Sequence, residues 1–195
     1  MIDPLRHAKS NLIAAEQAYV AMSQSTTFEE YESEWRDFLT HLEKVWIKTE
    51  RACVHLQPKF QPWQGKYLAL RRKDMLLRYL KAARDADNHS IQDLAIIKDG
   101  STSVNFAKDE GVRSCVITFK DGEMVIESDD PLVITNTPPH PAALPVKNHG
   151  DWYNPPTSHI GQMLTNRHPT EFALLGLNFY KNFVNDVENT FFTKL

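Results

Sequence analysis

The sequence predicts an α+β fold, mainly a helical bundle with a small antiparallel β insertion before the last helix. Three observations carry this expectation. Apolar residues recur at three- and four-residue steps through the first ninety positions and again near the end of the chain. Between these stretches the pattern changes to β-branched runs flanked by turn residues. Seven of the eleven prolines fall between Pro131 and Pro156, so that stretch is extended or turn-rich rather than one helix. Helices and strands are segregated along the chain, which indicates α+β rather than a parallel α/β sheet. The expected division is 1–94 for the first part of the bundle, 95–157 for the β- and Pro-rich insertion, and 158–195 for the helix that completes the bundle.

The elements follow in order. Asp3 can cap a first helix with Pro4 at its first position, because proline lacks an N–H that would otherwise be unpaired there. This helix reaches about Met22 and is broken by residues 23–26. Thr27-Phe28-Glu29-Glu30 is a capping-box pattern. The helix after it carries Trp35, Phe38, Leu39, Leu42, Val45, Trp46, Thr49 and Cys53 on one stripe. Residues 56–66 contain Pro58, Pro62 and Gly65 and read as a connection. Asp74 is a good N-cap for a helix with a stripe of Leu76, Tyr79, Leu80 and Ala83, running to about Ser90. Val112–Phe119 and Glu123–Glu127 flank Lys120-Asp121-Gly122, a hairpin signal. Residues 132–135 and 95–97 are further strand candidates. Pro169 opens a final helix to about Phe192. It is apolar over so much of its girth that it is either central to the bundle or also faces a second chain.

Composition bounds the function. The chain has 195 residues, 42% hydrophobic and 24% charged, which suits a globular domain with a real core. A formal net charge of −3 excludes a global nucleic-acid coat but not a local basic patch. Cys53 and Cys115 form no C-x-x-C pair. No apolar run approaches the ~20 residues that span a bilayer, and the first residues lack the layout of a signal peptide. The expectation is a cytoplasmic protein that does not engage a membrane. A Gly-rich phosphate loop and a G-x-S-x-G elbow are both missing from the sequence. The histidines show no metal-ligand spacing, and Asp85 with Asp87 makes only half an oxygen site, so neither a metal nor another cofactor is expected.

The segment that carries chemistry is Lys81-Ala82-Ala83-Arg84-Asp85-Ala86-Asp87-Asn88-His89-Ser90. Asp85 precedes His89 by four residues and shares its helix face, where a carboxylate can orient an imidazole. A helical wheel puts Arg78, Lys81, Asp85 and His89 opposite the apolar stripe. From Lys66 to His89 seven Lys/Arg stand against three Asp, a local excess of 7 − 3 = +4 that suits phosphate. Five helical residues turn through about 500°, so Arg84 and His89 point roughly 140° apart and one straight helix makes a poor site from them. The same Arg-x-x-x-x-His spacing recurs at Arg36 and His41. There it is threaded by Phe38 and Leu39, and both residues read as flanks of the buried stripe.

Arg84-Asp85-Ala86-Asp87-Asn88-His89 resembles the motif of the HEPN superfamily of bacterial helical proteins, many of them RNA-cutting toxins or defence factors. The motif is an Arg, a polar residue, a few more positions and a His near the end of a bundle helix. Residues 71–80 (Arg71-Arg72-Lys73-Asp74 through Leu80) and Tyr153-Asn154-Pro155-Pro156-Thr157-Ser158-His159 look like an uncharacterised bacterial subgroup in which a β-rich piece follows the motif. The likeness extends over about half the chain.

The resemblance implies a metal-independent endoribonuclease, a toxin or phage-defence component, acting as a homodimer that sets two motifs across a shared cleft. RNA is then the substrate, and an antitoxin or defence-system protein a partner. His89 moves a proton during attack by the ribose 2′-hydroxyl, Arg84 receives charge on phosphate oxygens, and Asp85 holds His89. Asn88, Arg78 and Lys81 contact substrate. The alternative is a non-catalytic helical interaction protein whose charged helix docks a partner protein. His149 and His159 lie with Trp152 and Tyr153 in a polar, aromatic loop. That loop reads either as a cleft lining that stacks a base or, more plainly, as a strap over the β piece.

Overall fold

In the computed structural model, residues 3–107 and 114–193 are described. The chain begins with a tight turn. Asp3 accepts the Leu5 N–H at 2.8 Å and the Arg6 N–H bonds the Asp3 carbonyl, so helix α1 (Arg6–Gln24) starts two residues beyond Pro4. Helix α2 (Phe28–Ala52) has the capping box in full. Thr27 Oγ1 accepts the Glu30 N–H at 3.2 Å, and Glu30 accepts the Thr27 N–H in return. The α2 stripe is buried from Tyr31 and Trp35 through Thr49.

The expected connection over 56–66 is a helix instead. After a 3-10 turn at Val54–Leu56, α3 runs Gln57–Lys73. Pro58 falls in the first turn, where its missing N–H removes no bond. Pro62 removes one bond, and the helix tolerates that because Phe60, Tyr67 and Arg71 are buried on one face. Trp63 and Tyr67 meet Phe183 with centroids 6.3 Å and 5.0 Å away.

Helix α4 (Met75–His89) is capped as expected, with Asp74 accepting the Leu77 N–H at 3.0 Å. The last helix, α5 (Pro169–Phe191), is central to the bundle. Phe172, Leu177, Phe179, Tyr180, Phe183, Val184 and Val187 are buried, and Leu174 is the large apolar residue left 40% exposed. Gly176 permits the close crossing, since a Cβ there would sit 2.6 Å from Leu80 Cδ1 and 3.3 Å from Leu42 Cδ2. Thus α5 spends most of its apolar girth within the chain.

The architecture is a helical bundle with small antiparallel strand pairs, an α+β fold. The described residues form two units. One comprises those up to Ile97 and from Pro141 onward, and the other is Lys98–His140. The second unit is therefore narrower than the 95–157 drawn from sequence. Residues 141–157 join the helices because Val146 is buried, Tyr79 Oη donates to the Leu144 carbonyl at 2.7 Å, and Asn148 and Lys147 bond side chains at the end of α4 and just beyond it.

In the helical unit, β1 (Ala95–Lys98) pairs with β6 (His140–Ala143), apart from their outermost residues, which belong to the second unit. There too β7 (Val146–Asn148) pairs with β8 (Asp151–Tyr153), and β9 (Ser158–His159) with β10 (Gln162–Met163).

In the second unit β2 (Ser101–Phe106), which is not among the strands expected from sequence, pairs with β5 (Leu132–Thr137). Strands β3 (Cys115–Lys120) and β4 (Glu123–Ser128) form the expected hairpin, with Asp121 and Gly122 both left-handed at φ 52° and 86°. Of the strand expected from Val112, residues 112 and 113 lie outside the described residues.

Candidate functional site

Helix α4 is amphipathic because its charged residues fall between the turns that carry Leu76, Tyr79, Leu80 and Ala83. Its polar face is not open water throughout. The β7–β8 hairpin packs on it, and three hydrogen bonds pin the hairpin. Asn148 Nδ2 donates to Asp85 Oδ2 at 3.4 Å. Gln92, just past the helix, makes a two-way bond with Lys147, accepting its N–H at 2.8 Å and donating to its carbonyl at 3.0 Å. The turn residues His149 and Gly150 have φ 49° and 91°, the two-residue geometry that suits a twisted hairpin. Among residues other than glycine, histidine is one of those that tolerate such a φ.

Two clefts flank this hairpin. The first, about 280 Å³, is lined by Arg71, Arg72, Arg78, Lys81, Asp85, Asn148, His149 and Tyr153. Arg71 is neutralised from behind, bonding Glu43 at 2.5 Å and lying 4.1 Å over the Trp46 ring. Lys81 bonds Asp85 at 2.6 Å. Arg72 and Arg78 have no carboxylate partner among the described residues, and Arg78 lies 5.6 Å over the Tyr153 ring. The second cleft, about 570 Å³, is lined by His89, Ser90, Gln92, Lys147, Asn148, His149, Gly150 and Trp152. Trp152 is 64% exposed, a flat apolar platform beside polar groups. Asn148 and His149 belong to both clefts.

The six residues singled out from sequence separate as follows. Arg78 and Lys81 line the first cleft together with Asp85. His89 lines the second; it is exposed and has no hydrogen-bond or ion-pair partner among the described residues. Arg84 lines neither cleft, and its Nη1 bonds Asp85 at 3.1 Å. Asn88 donates to the Arg84 carbonyl at 2.9 Å and is exposed.

The expectation that Asp85 orients His89 is corrected, because Asp85 is engaged by Lys81, Arg84 and Asn148 instead. Lys81 stands one helical turn before it and Arg84 is adjacent, so two permanent cations outcompete an exposed imidazole at the last residue of the helix. Burial alone would raise the Asp85 carboxyl. The hydrogen bonds from Lys81 and Arg84 outweigh it and hold Asp85 below the ordinary carboxylate range. Asp87 turns the other way and pairs with Arg36, which also bonds Glu32 at 2.9 Å and the Gln92 carbonyl at 3.2 Å. His41 bonds Asn11 at 3.1 Å, and both Arg36 and His41 are half-buried beside the α2 stripe.

The β9–β10 hairpin docks at the other end of α4. Asp74 accepts the Ile160 N–H at 2.7 Å and pairs with His159 at 2.9 Å while it caps the helix. Burial pushes its carboxyl up, but these bonds prevail and lower it. Among the described residues no group of three or more His, Cys, Asp or Glu is placed to hold a metal ion, and no helix is long and apolar enough to cross a membrane. Compared with protein-family models, curated proteins and solved structures, the chain finds no match in any of the three.

Proposed function

We propose that the protein is a metal-independent endoribonuclease acting on single-stranded RNA at the end of α4. One observation carries the reading. Among the described residues His89 is an imidazole with no hydrogen-bond or ion-pair partner, in a cleft of about 570 Å³, and a neighbouring cleft that shares Asn148 and His149 holds Arg72 and Arg78, which have no carboxylate partner among the described residues. Imidazole is the side chain that ordinarily exchanges protons near neutrality, and unpaired guanidinium groups bind phosphate oxygens. The likeness of Arg84–His89 to the HEPN motif points the same way, and with it a role in toxin or defence systems. Arg84 would reach the phosphate from a second copy of the chain, since on its own helix it faces away from His89.

The wild-type chain should cut single-stranded RNA in the presence of a chelator, leave 2′,3′-cyclic phosphate ends and spare DNA, which lacks the nucleophile. His89→Ala should slow cleavage by about 10²-fold or more; full activity in that variant would end the proposal. In cells, expression should arrest growth and Arg84→Ala should relieve it. The engagement of Arg84 by Asp85 favours a second reading, a non-catalytic protein that docks a partner through the charged α4 face. Failure of the wild-type chain to cut any RNA would leave that reading standing.

A further inference from the structure

We infer that His149 is a second catalytic imidazole, paired with His89 within one chain. The inference rests on the ribonuclease reading and names a second proton-transfer group that the same chain supplies beside His89. Cleavage by 2′-hydroxyl attack needs two proton transfers. One group takes the 2′-hydroxyl proton as the O2′–P bond forms. Another gives a proton to the 5′-oxygen as the P–O5′ bond breaks. The products are a 2′,3′-cyclic phosphate and a 5′-hydroxyl, no water is consumed, and the two imidazoles end with their protonation states exchanged. Within one chain His89 alone would have to serve both ends of the reaction, and Asp85 is held by Lys81, Arg84 and Asn148.

The hairpin supplies the missing group. His149 and His89 line the same cleft, with Lys147 available to a phosphate oxygen and the exposed Trp152 to the face of a base. His149 also borders the cleft of Arg72 and Arg78, where the next phosphate of the strand would lie. Its position is specified rather than incidental. The turn holds it at φ 49°, and Asn148–Asp85 and Lys147–Gln92 fix the hairpin on both sides of the helix end.

The test uses His149→Asn, which removes the imidazole and leaves a residue suited to the left-handed position before Gly150, so the turn is kept. Each of His149→Asn and His89→Ala should lose about 10²–10⁴-fold in RNA cleavage with RNA binding retained. A dinucleotide with a 5′-bridging sulfur, whose thiolate leaves without a proton, should restore the rate of one variant and not the other. That pattern also shows which histidine is the acid, and a merely structural role would not produce it. Full activity in His149→Asn with an inactive His89→Ala overturns the inference and spares the ribonuclease reading. Rescue of both variants or of neither also overturns it. A wild-type chain that cuts no RNA removes both.

Discussion

Replacing Asp74 with alanine strikes three bonds at one buried carboxylate, and its effect can be worked from the geometry. The side chain is 5% exposed and its partner His159 11%. Loss of the helix cap costs about 1 kcal/mol. The Ile160 N–H, which lies on an exposed turn and can turn to water, loses a charge-assisted bond worth about 1.5 kcal/mol, and His159 loses its anion. The sum is about 3 kcal/mol, or about 6–12 °C in Tm for a domain of this size. All four tryptophans belong to the helical unit, so fluorescence during urea unfolding follows that unit alone. Asp74→Asn keeps one acceptor oxygen and should lose half as much or less.

The pH dependence has a definite sign. The folded carboxyl is depressed below its unfolded value near 4. Its stabilisation is therefore complete above that pH and fades as the pH falls through the folded value. The gap between wild type and Asp74→Ala should narrow on acidification below about pH 4. A loss under about 1 kcal/mol at neutral pH would refute the view that Asp74 ties the hairpin to the helix.

Three further outcomes are expected. Gly176→Ala should destabilise by about 1–3 kcal/mol through overpacking against Leu80, read by the same unfolding curve. Ile160→Gly should stabilise by about 1 kcal/mol, because Ile160 holds φ 48° while 54% exposed; unchanged or lower stability counts against strain at that turn. Replacing Arg72 and Arg78 with alanine should weaken single-stranded RNA binding and reduce the salt slope by about 0.7 for each phosphate no longer neutralised, measured by titration at several salt concentrations.

The elements legible in the sequence are those with local causes. The Thr27–Glu30 capping box, the Asp74 cap and the Asp121-Gly122 turn each need only a few neighbouring residues, and each forms. Helix α3 is masked by its prolines, which read as breaks although Phe60, Trp63, Tyr67 and Arg71 keep helical spacing. The β7–β8 hairpin is masked because three-residue strands are too short to show alternation. Asn148-His149-Gly150-Asp151 is the local signal for it. At the site, helical geometry is enough to find Arg78, Lys81 and Asp85. What no wheel can show is that Asp85 is covered by Asn148, a residue 63 positions away, or that the hairpin brings His149 to the cleft of His89. Surfaces created by distant chain segments leave no periodicity behind.

The chain leaves the helical unit after Ile97 and re-enters it at Pro141, and just inside that root the Leu144 N–H donates to the Leu94 carbonyl at 3.0 Å. The excursion between them thus has its two ends stitched together at the root. Such an arrangement makes Lys98–His140 a replaceable cassette. It can lengthen, shrink or diverge over evolution while the helices that frame His89 keep their places, and a short artificial bridge across the root would isolate the bundle for study.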